Sequence, residues 1–434
     1  MQLVERKQYM QTLRYWKDKN VIKVLTGVRR CGKSTLLQMF ASELLQNGVM
    51  QEQIQFYNFE DLDTLSLGDI YQIHTHIKNK LIADKKNYIF LDEVQNVKEF
   101  QRLVDSLFIK KNCDVYITGS NAHLLSGELA TLLTGRYIET EILPFSYAEY
   151  IDFLTQNSEN FANSQISYPQ KMSKTESFAD SVSESLKTNK FDSLLDFIYY
   201  GGMPEVYNLL VDNQSQSDTF VASVLNTIIE KDIFTRNEIR NKAVFQKIID
   251  FVFDSVGSYI SANSISKTFK NSKITINNET VMNYLSYLND AMLLYSVPRY
   301  DIKGKSLLQS LNKFYLSDTS FRRVRLGKNA GQDMGHLLEN AVYLELRRRN
   351  SKVYAGKFRE MEVDFVVTDH EGYTSYYQVA WTTMNNTETL ERELAPLNAI
   401  RDSNPKYLLT TDRDFAPVYN GIRKLNVVDW MLSK

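Results

Sequence analysis

Residues 27 to 34 read GVRRCGKS, an instance of GxxxxGK[ST]. In this pattern glycines let backbone N–H groups wrap phosphate oxygens, the lysine reaches the β- and γ-phosphates, and the hydroxyl holds Mg²⁺. The string alone arises by chance in on the order of one or two in a hundred chains of this length, so its flanks decide. VIKVLTG (Val21 to Gly27) is a short apolar, β-branched run, and STLLQMFASELL (Ser34 to Leu45) has helical spacing. A strand that feeds a phosphate loop opening a helix, whose N-terminal dipole favours an anion, commits this part of the chain to an α/β fold. The nucleotide-contacting candidates are Gly27, Val28, Arg29, Arg30, Cys31, Gly32, Lys33, Ser34 and Thr35. The side chains of Arg29 and Arg30, at interior x positions, are expected to point away from the phosphates.

Two later strands supply partners. NYIFLDEVQNV reads as a buried parallel strand that delivers Asp92 and Glu93 at its C-terminal edge, where ligands sit in open α/β sheets. Asp92 is expected in the Mg²⁺ shell and Glu93 as the group that polarises the attacking water; the plainer reading is a carboxylate pair capping the next helix. DVYITGSN ends in Ser120 and Asn121, either of which could sense the γ-phosphate or cap the helix AHLLSGEL. LTGRYIETEILPFS carries Arg136 on a turn, as a transition-state cation acting in a neighbouring subunit or as a surface residue.

The bulk numbers narrow the classes. A chain of 434 residues is too long for one ordinary core, so two to four domains are expected. Lys plus Arg is 51 and Asp plus Glu is 52, which shows no global attraction to nucleic acid or anionic lipid; any such attraction must be local. The two cysteines, Cys31 and Cys113, make no disulfide framework and suit a reducing cytosol. With no signal-like block and no run of about 18 apolar residues, the expected location is the cytoplasm, with no membrane partner.

The strings TGVRRCGKSTLL, IFLDEVQ, ITGSN, LTGR, LPFSYAEY and GGMP together resemble the bacterial and archaeal AAA-like ATPases that carry an additional C-terminal domain of nuclease-like fold. The resemblance implies a three-layer ASCE-type parallel sheet with Lys33, Ser34, Asp92 and Glu93 in the roles above. It also implies ATP rather than GTP as the nucleotide, with Mg²⁺, and ring-like homo-oligomers in which Arg136 acts in trans.

Beyond the ATPase core (1–150), 18 of the 36 residues from Thr155 to Lys190 are Ser, Thr, Asn or Gln, too polar to offset their chain entropy, and a mobile insertion is expected at 155–190. FDSLLDFIYYGGMPEVYNLL then reads as a helical lid, closing a segment 151–232. From 233 to 328 three helices precede two strands, LLYSVPRY and KFYLSD, the winged-helix plan, whose third helix would enter a DNA groove. That helix, NNETVMNYLSYLND, has no Lys or Arg. Residues 299 to 328 instead hold eight bases against Asp301 and Asp318, a local +6. Arg299, Lys303, Lys305, Arg322, Arg323 and Arg325 are therefore the DNA-contact candidates, grouped with Lys313 and Lys328, for a duplex or branched DNA bound without sequence-specific readout.

Residues 329–434 resemble the PD-(D/E)xK nuclease fold, with Glu339, Asp364 and Gln378 at the ligand positions and Ala380 where that pattern wants a lysine. Gln378 is a weaker ligand than a carboxylate, so a degenerate site kept for shape is expected, with Lys352 or Lys357 as the candidate substitutes. The expected whole is an Mg²⁺-dependent ATPase that binds DNA through its C-terminal modules. The alternatives are a nucleotide-gated switch acting on a protein partner, or an ATP-dependent nuclease.

Overall fold

The structure is a computed structural model and describes residues 3–121, 133, 135–157, 190–212, 214–327, 333–349, 351–384, 386–414 and 417–433. Nearly all of the polar run 155–190, the segment AHLLSGEL and Lys328 lie outside the described residues. The chain forms two compact units, Val4–Leu143 with Asp290–Met292, and the remainder from Pro144 onward with Met1–Leu3.

The N-terminal unit is built on five parallel strands, β1 (Ile22–Thr26), β2 (Ile54–Asn58), β3 (Asn87–Asp92), β4 (Cys113–Gly119) and β5 (Tyr137–Glu141), in the order β2-β3-β4-β1-β5. Strands β1, β3 and β4 are buried along their whole length, which explains their continuous apolar runs: a parallel sheet is covered on both faces. One face carries Ile22, Val24, Ile89, Leu91 and Ile117 against Ile73 and Ile77 of α3 (Ile70–Asn79) and Leu103, Val104 and Leu107 of α4 (Phe100–Phe108). On the other, Phe40 of α2 (Lys33–Gln46) packs 5.4 Å from Tyr116, which stacks 4.9 Å from Phe90. Helix α1 (Lys7–Trp16) precedes β1.

The C-terminal unit starts with helices α5 (Tyr147–Gln156), α6 (Lys190–Tyr200), α7 (Pro204–Asp212) and α8 (Gln214–Thr227). Their turns explain two of the sequence strings. Phe145 N–H donates to the Gly202 carbonyl at 2.7 Å, and a Cβ on Gly202 would lie 2.6 Å from the Phe145 oxygen. Gly202 N–H in turn donates to the buried Asp318 carboxylate at 2.7 Å. PFS and GGMP thus meet as backbone, which only a glycine allows.

Helices α9 (Lys242–Asp254), α10 (Ala262–Asn271) and α11 (Asn278–Asp290) precede the hairpin β7 (Leu294–Asp301) and β8 (Ser306–Leu316), in the order expected. The hairpin is no free wing. Strand β7 pairs in parallel with β9 (Lys352–Phe358), Arg299 opposite Ala355, and β8 pairs with the short β6 (Tyr259–Ile260). With β10 (Met361–Thr368), β11 (Thr374–Ala380), β12 (Lys406–Thr410), β13 (Val418–Tyr419) and β14 (Ile422–Asn426) they make one nine-stranded mixed sheet, β13-β14-β12-β11-β10-β9-β7-β8-β6. Helices α12 (Ser320–Leu326), α13 (Met334–Arg348), α14 (Thr387–Ala399) and α15 (Val427–Leu432) complete the unit. Leu394 and Leu397 of α14 close a core over Val363, Val366, Leu408 and Ile422. Among the described residues no helix is long and apolar enough to cross a membrane.

Candidate active site at the phosphate loop

The loop from Gly27 to Gly32 joins the buried end of β1 to the first residue of α2. Gly27 is required: a Cβ there would sit 2.2 Å from the Ile142 carbonyl oxygen and 2.8 Å from Cys31 Sγ. Gly32 turns into α2 with φ 102°, a left-handed conformation that favours glycine. Beneath the loop the guanidinium of buried Arg6 donates to the carbonyls of Cys31 at 3.0 Å and Leu143 at 2.8 Å, tying it to the sheet from 25 residues upstream. Val28 and Cys31 are buried; Arg29, its side chain 12% exposed, pairs with Glu60 at 2.5 Å and its charge reaches both Lys33 and Glu93.

Lys33, 4% exposed, donates to the carbonyls of Gly27 at 3.0 Å and Val28 at 3.4 Å, and its Nζ lies 3.4 Å from Glu93 Oε1. Burial is the largest influence and opposes its charge, yet Glu93, Cys31 and Asp92 together outweigh it and the pKa is raised. For Glu93 burial pushes the carboxyl up, but Lys33 and a hydrogen bond from Gln95 hold it below its ordinary value, so it is an ionised base. Asp92 closes β3 and accepts from Thr118 Oγ1 of β4 at 2.6 Å and from Ser34. Burial nonetheless raises the Asp92 carboxyl. A hydroxyl and a carboxylate side by side at the start of α2 are hard oxygen donors of the kind Mg²⁺ takes from a protein while keeping phosphates and waters as its other ligands. The residues fit that ion.

Ser120 and Asn121 are both buried at the end of β4; Ser120 also hydrogen-bonds to Glu93. Arg136 stands apart from this group in its own turn, half-exposed and paired with Asp105 of α4 at 2.5 Å. Three side chains of the site receive no role from the sequence: Arg6, Thr118 within ITGSN and Gln95 within IFLDEVQ. Thr118 could have been found from the parallel β3–β4 register, in which Leu91 faces Ile117.

In the C-terminal unit, Glu339 on α13, Asp364 on β10 and Gln378 on β11 do converge, around a residue the sequence reading had placed elsewhere. Lys313 of β8, 1% exposed, has its Nζ 2.7 Å from Glu339 Oε1 and 3.4 Å from Asp364 Oδ1, and pairs with Glu362. Tyr315 O–H donates to Glu339 Oε1 at 2.5 Å. Gln378 spends its amide on Asp364 N–H at 3.3 Å and on Glu393 at 2.9 Å. Burial and the neighbouring Glu339 push the Asp364 carboxyl up to about 8. Among the described residues no group of three or more His, Cys, Asp or Glu side chains is placed to hold a metal ion. A nuclease-type metal does not fit here, because an ammonium already stands among the acids. Lys352 and Lys357, the suggested substitutes, are not part of the cluster; Lys357 faces Glu360 at 4.0 Å.

Several DNA-contact candidates are corrected. Arg322, 3% exposed, donates to the Phe253 carbonyl at 2.8 Å and to Asp333 at 2.7 Å; Arg323, 8% exposed, donates to the Tyr199 carbonyl at 3.0 Å and pairs with Asp218. Arg325 pairs with Asp250 at 2.5 Å, and Arg299 lies 4.7 Å over the Tyr259 ring. They bind helices and strands of their own unit, so the +6 counted along the sequence is not a surface patch. Lys303 and Lys305 remain exposed at the hairpin tip.

Over 432 residues the chain is 33% identical to an uncharacterised protein of Haemophilus influenzae, covering 99% of both. The chain belongs to that protein's family. Residues 19–151 of this family member match the profile of an AAA domain, and residues 191–332 that of a domain of unknown function. The uncharacterised protein MJ1544 of Methanocaldococcus jannaschii is 30% identical over 356 residues, 80% of this chain and 72% of its own. Among solved structures, the Walker-type ATPase PABY2304 of Pyrococcus abyssi is 12% identical with a TM-score of 0.45, covering 75% of this chain and 96% of that one. The Aeropyrum pernix ORC1 protein, solved in complex with DNA, is 10% identical with a TM-score of 0.33, covering 75% and 93%.

Proposed function

We propose that this AAA-domain protein binds ATP with Mg²⁺ at the loop Gly27–Thr35 and hydrolyses it. One observation carries the reading: Lys33, Ser34, Asp92 and Glu93 converge at the same end of the parallel sheet, with Thr118 holding Asp92. The loop N–H groups and Lys33 bind the β- and γ-phosphates, while Ser34 and Asp92 hold the ion. Mg²⁺ bound there neutralises charge on the phosphate oxygens. A triphosphate attracts Lys33 away from the Gly27 and Val28 carbonyls and loosens its hold on Glu93, which is then free to take a proton from water attacking the γ-phosphorus. The bond from that phosphorus to the bridging oxygen breaks, and ADP leaves with the electron pair. Glu93→Gln is expected to keep Mg-ATP affinity while turnover falls about 10²- to 10⁴-fold, the usual worth of a general base. Turnover at the wild-type rate in that variant would remove the assignment.

The ATPase is proposed to act on DNA through the tip of the β7–β8 hairpin. Lys303 and Lys305 support this, being exposed at the turn that joins β7 to β8. Duplex or branched-DNA affinity that falls steeply with salt, and whose salt slope drops by about one for each lysine changed to Glu, is the expected result. Affinity unchanged in Lys303→Glu/Lys305→Glu transfers the output to a protein partner.

A further inference from the structure

Glu93 sits in a left-handed turn, φ 51°, which is unfavourable for a residue with a side chain and needs compensation. The turn does two things. It directs the Glu93 N–H to Thr118 Oγ1 at 2.9 Å, and it folds the chain so that Gln95, two residues on, returns beside the Glu93 carboxylate. The two carboxylate oxygens then face different groups: Oε1 lies 3.4 Å from Lys33 Nζ, and Oε2 accepts from Gln95 Nε2 at 2.5 Å. The same Nε2 is 3.4 Å from Ser120 Oγ, so one amide nitrogen ties the glutamate to the end of β4.

The other arm of that amide is unused. Gln95 Oε1 is buried and has no hydrogen-bond partner among the described residues. A buried amide oxygen without a partner is costly, and native structures leave one mainly where water or a ligand completes it. With its nitrogen on the Glu93 carboxylate, the amide leaves its oxygen as the open end. Amide geometry fixes the two atoms about 2.3 Å apart, so Gln95 Oε1 cannot lie more than about 4.8 Å from Glu93 Oε2. One water spans that gap with ordinary hydrogen bonds.

We propose that Gln95 is a positioning residue for ATP hydrolysis, its nitrogen holding Glu93 and its carbonyl oxygen accepting one hydrogen of the attacking water. The inference rests on the ATPase reading above. A water whose two hydrogens are taken by Glu93 and Gln95 presents its lone pair in one fixed direction. Its oxygen forms the new bond to the γ-phosphorus, ADP departs with the electrons of the broken bond, and the proton passes to Glu93. Gln95 neither gains nor loses one.

Gln95→Ala is expected to lower kcat about 10- to 100-fold while the Kd for Mg-ATP and the melting temperature stay at wild-type values. Gln95→Glu keeps an acceptor oxygen but loses the amide nitrogen that holds Glu93, and is likewise expected to lower kcat with little change in the Kd for Mg-ATP. A Gln95→Ala protein with wild-type kcat overturns the inference, and so does one that loses stability and ATP affinity along with turnover, since Gln95 would then be structural. Glu93→Gln measured in parallel separates the two levels: if it too hydrolyses ATP, the ATPase reading fails; if it is dead while Gln95→Ala is fully active, only the role of Gln95 does.

Discussion

Both units of this protein bury a lysine among carboxylates, and the two lysines are held in opposite ways. Lys33 is bonded to two carbonyls of its own glycine-bearing loop at 3.0 and 3.4 Å, with a single carboxylate 3.4 Å away. Lys313 has Glu339 at 2.7 Å, Asp364 at 3.4 Å, Glu362 beside it and the Tyr259 ring 5.5 Å off. A lysine lodged mainly on neutral carbonyls can be exchanged onto a phosphate, because losing those bonds strands no charge and only Glu93 gives up a cation. One that neutralises several buried acids cannot leave them without cost. Similar residue types thus give a site prepared for an anion in one unit and a closed ion cluster in the other.

The largest effect that tests this contrast is the removal of each ammonium. Lys313→Met leaves the ionised Glu339 buried without its cation and is expected to cost about 3–5 kcal/mol in urea unfolding. Lys33→Met should cost clearly less, because Glu93 keeps its hydrogen bond from Gln95, while Mg-ATP binding is lost. Metal binding gives a second check: calorimetry of wild type with Mn²⁺ alone should give no site that Asp364→Ala abolishes. Equal destabilisation by the two changes, or a Mn²⁺ site dependent on Asp364, would break the distinction.

This contrast also marks what could be read along the chain. The phosphate loop is local: strand, loop and helix are consecutive, so GVRRCGKS with its flanks already defined the geometry around Lys33, and NYIFLDE announced a strand ending in acids. Lys313 has no such signature. Its partners lie 26 and 51 residues downstream, and counted along the sequence it was one more base in a positive run. What buries it is the pairing of β7 with β9, which builds the hairpin into a sheet covered by α13 and brings Lys313 and Tyr315, on one face of β8, against Glu339. The same step inverted the meaning of Arg322 and Arg323. Their stems and guanidinium groups hold α12 to neighbouring helices, an arrangement that depends on tertiary packing and not on composition. Arg6 and Gln95 escaped notice for a related reason: each acts through a backbone carbonyl or a carboxylate that only the folded turn brings within reach.

Another buried lysine sharpens the comparison at smaller scale. Lys424 of β14 has its Nζ 2.8 Å from Asp412 and 2.6 Å from Asp414, and Asp412 also accepts from Thr383 N–H at 2.9 Å and Thr383 Oγ1 at 2.8 Å. Burial pushes the Asp412 carboxyl up, but Lys424, Thr382 and Thr383 outweigh it and hold it at about 2, below the ordinary 3.8. A carboxyl depressed in the folded state stabilises the protein above its unfolded pKa, and that contribution disappears as pH falls through the folded value. Wild type is therefore expected to lose about 1 kcal/mol, after allowance for solvent screening, between roughly pH 4 and pH 2, a slope that Asp412→Asn should lack. Asp364 differs in sign: its raised carboxyl favours the fold at low pH and withdraws that support as pH rises toward 8. If urea midpoints of Asp412→Asn and wild type run parallel from pH 4 downward, the Lys424 cluster is not the simple paired counter-ion described, and it drops out of the comparison between open and closed lysines.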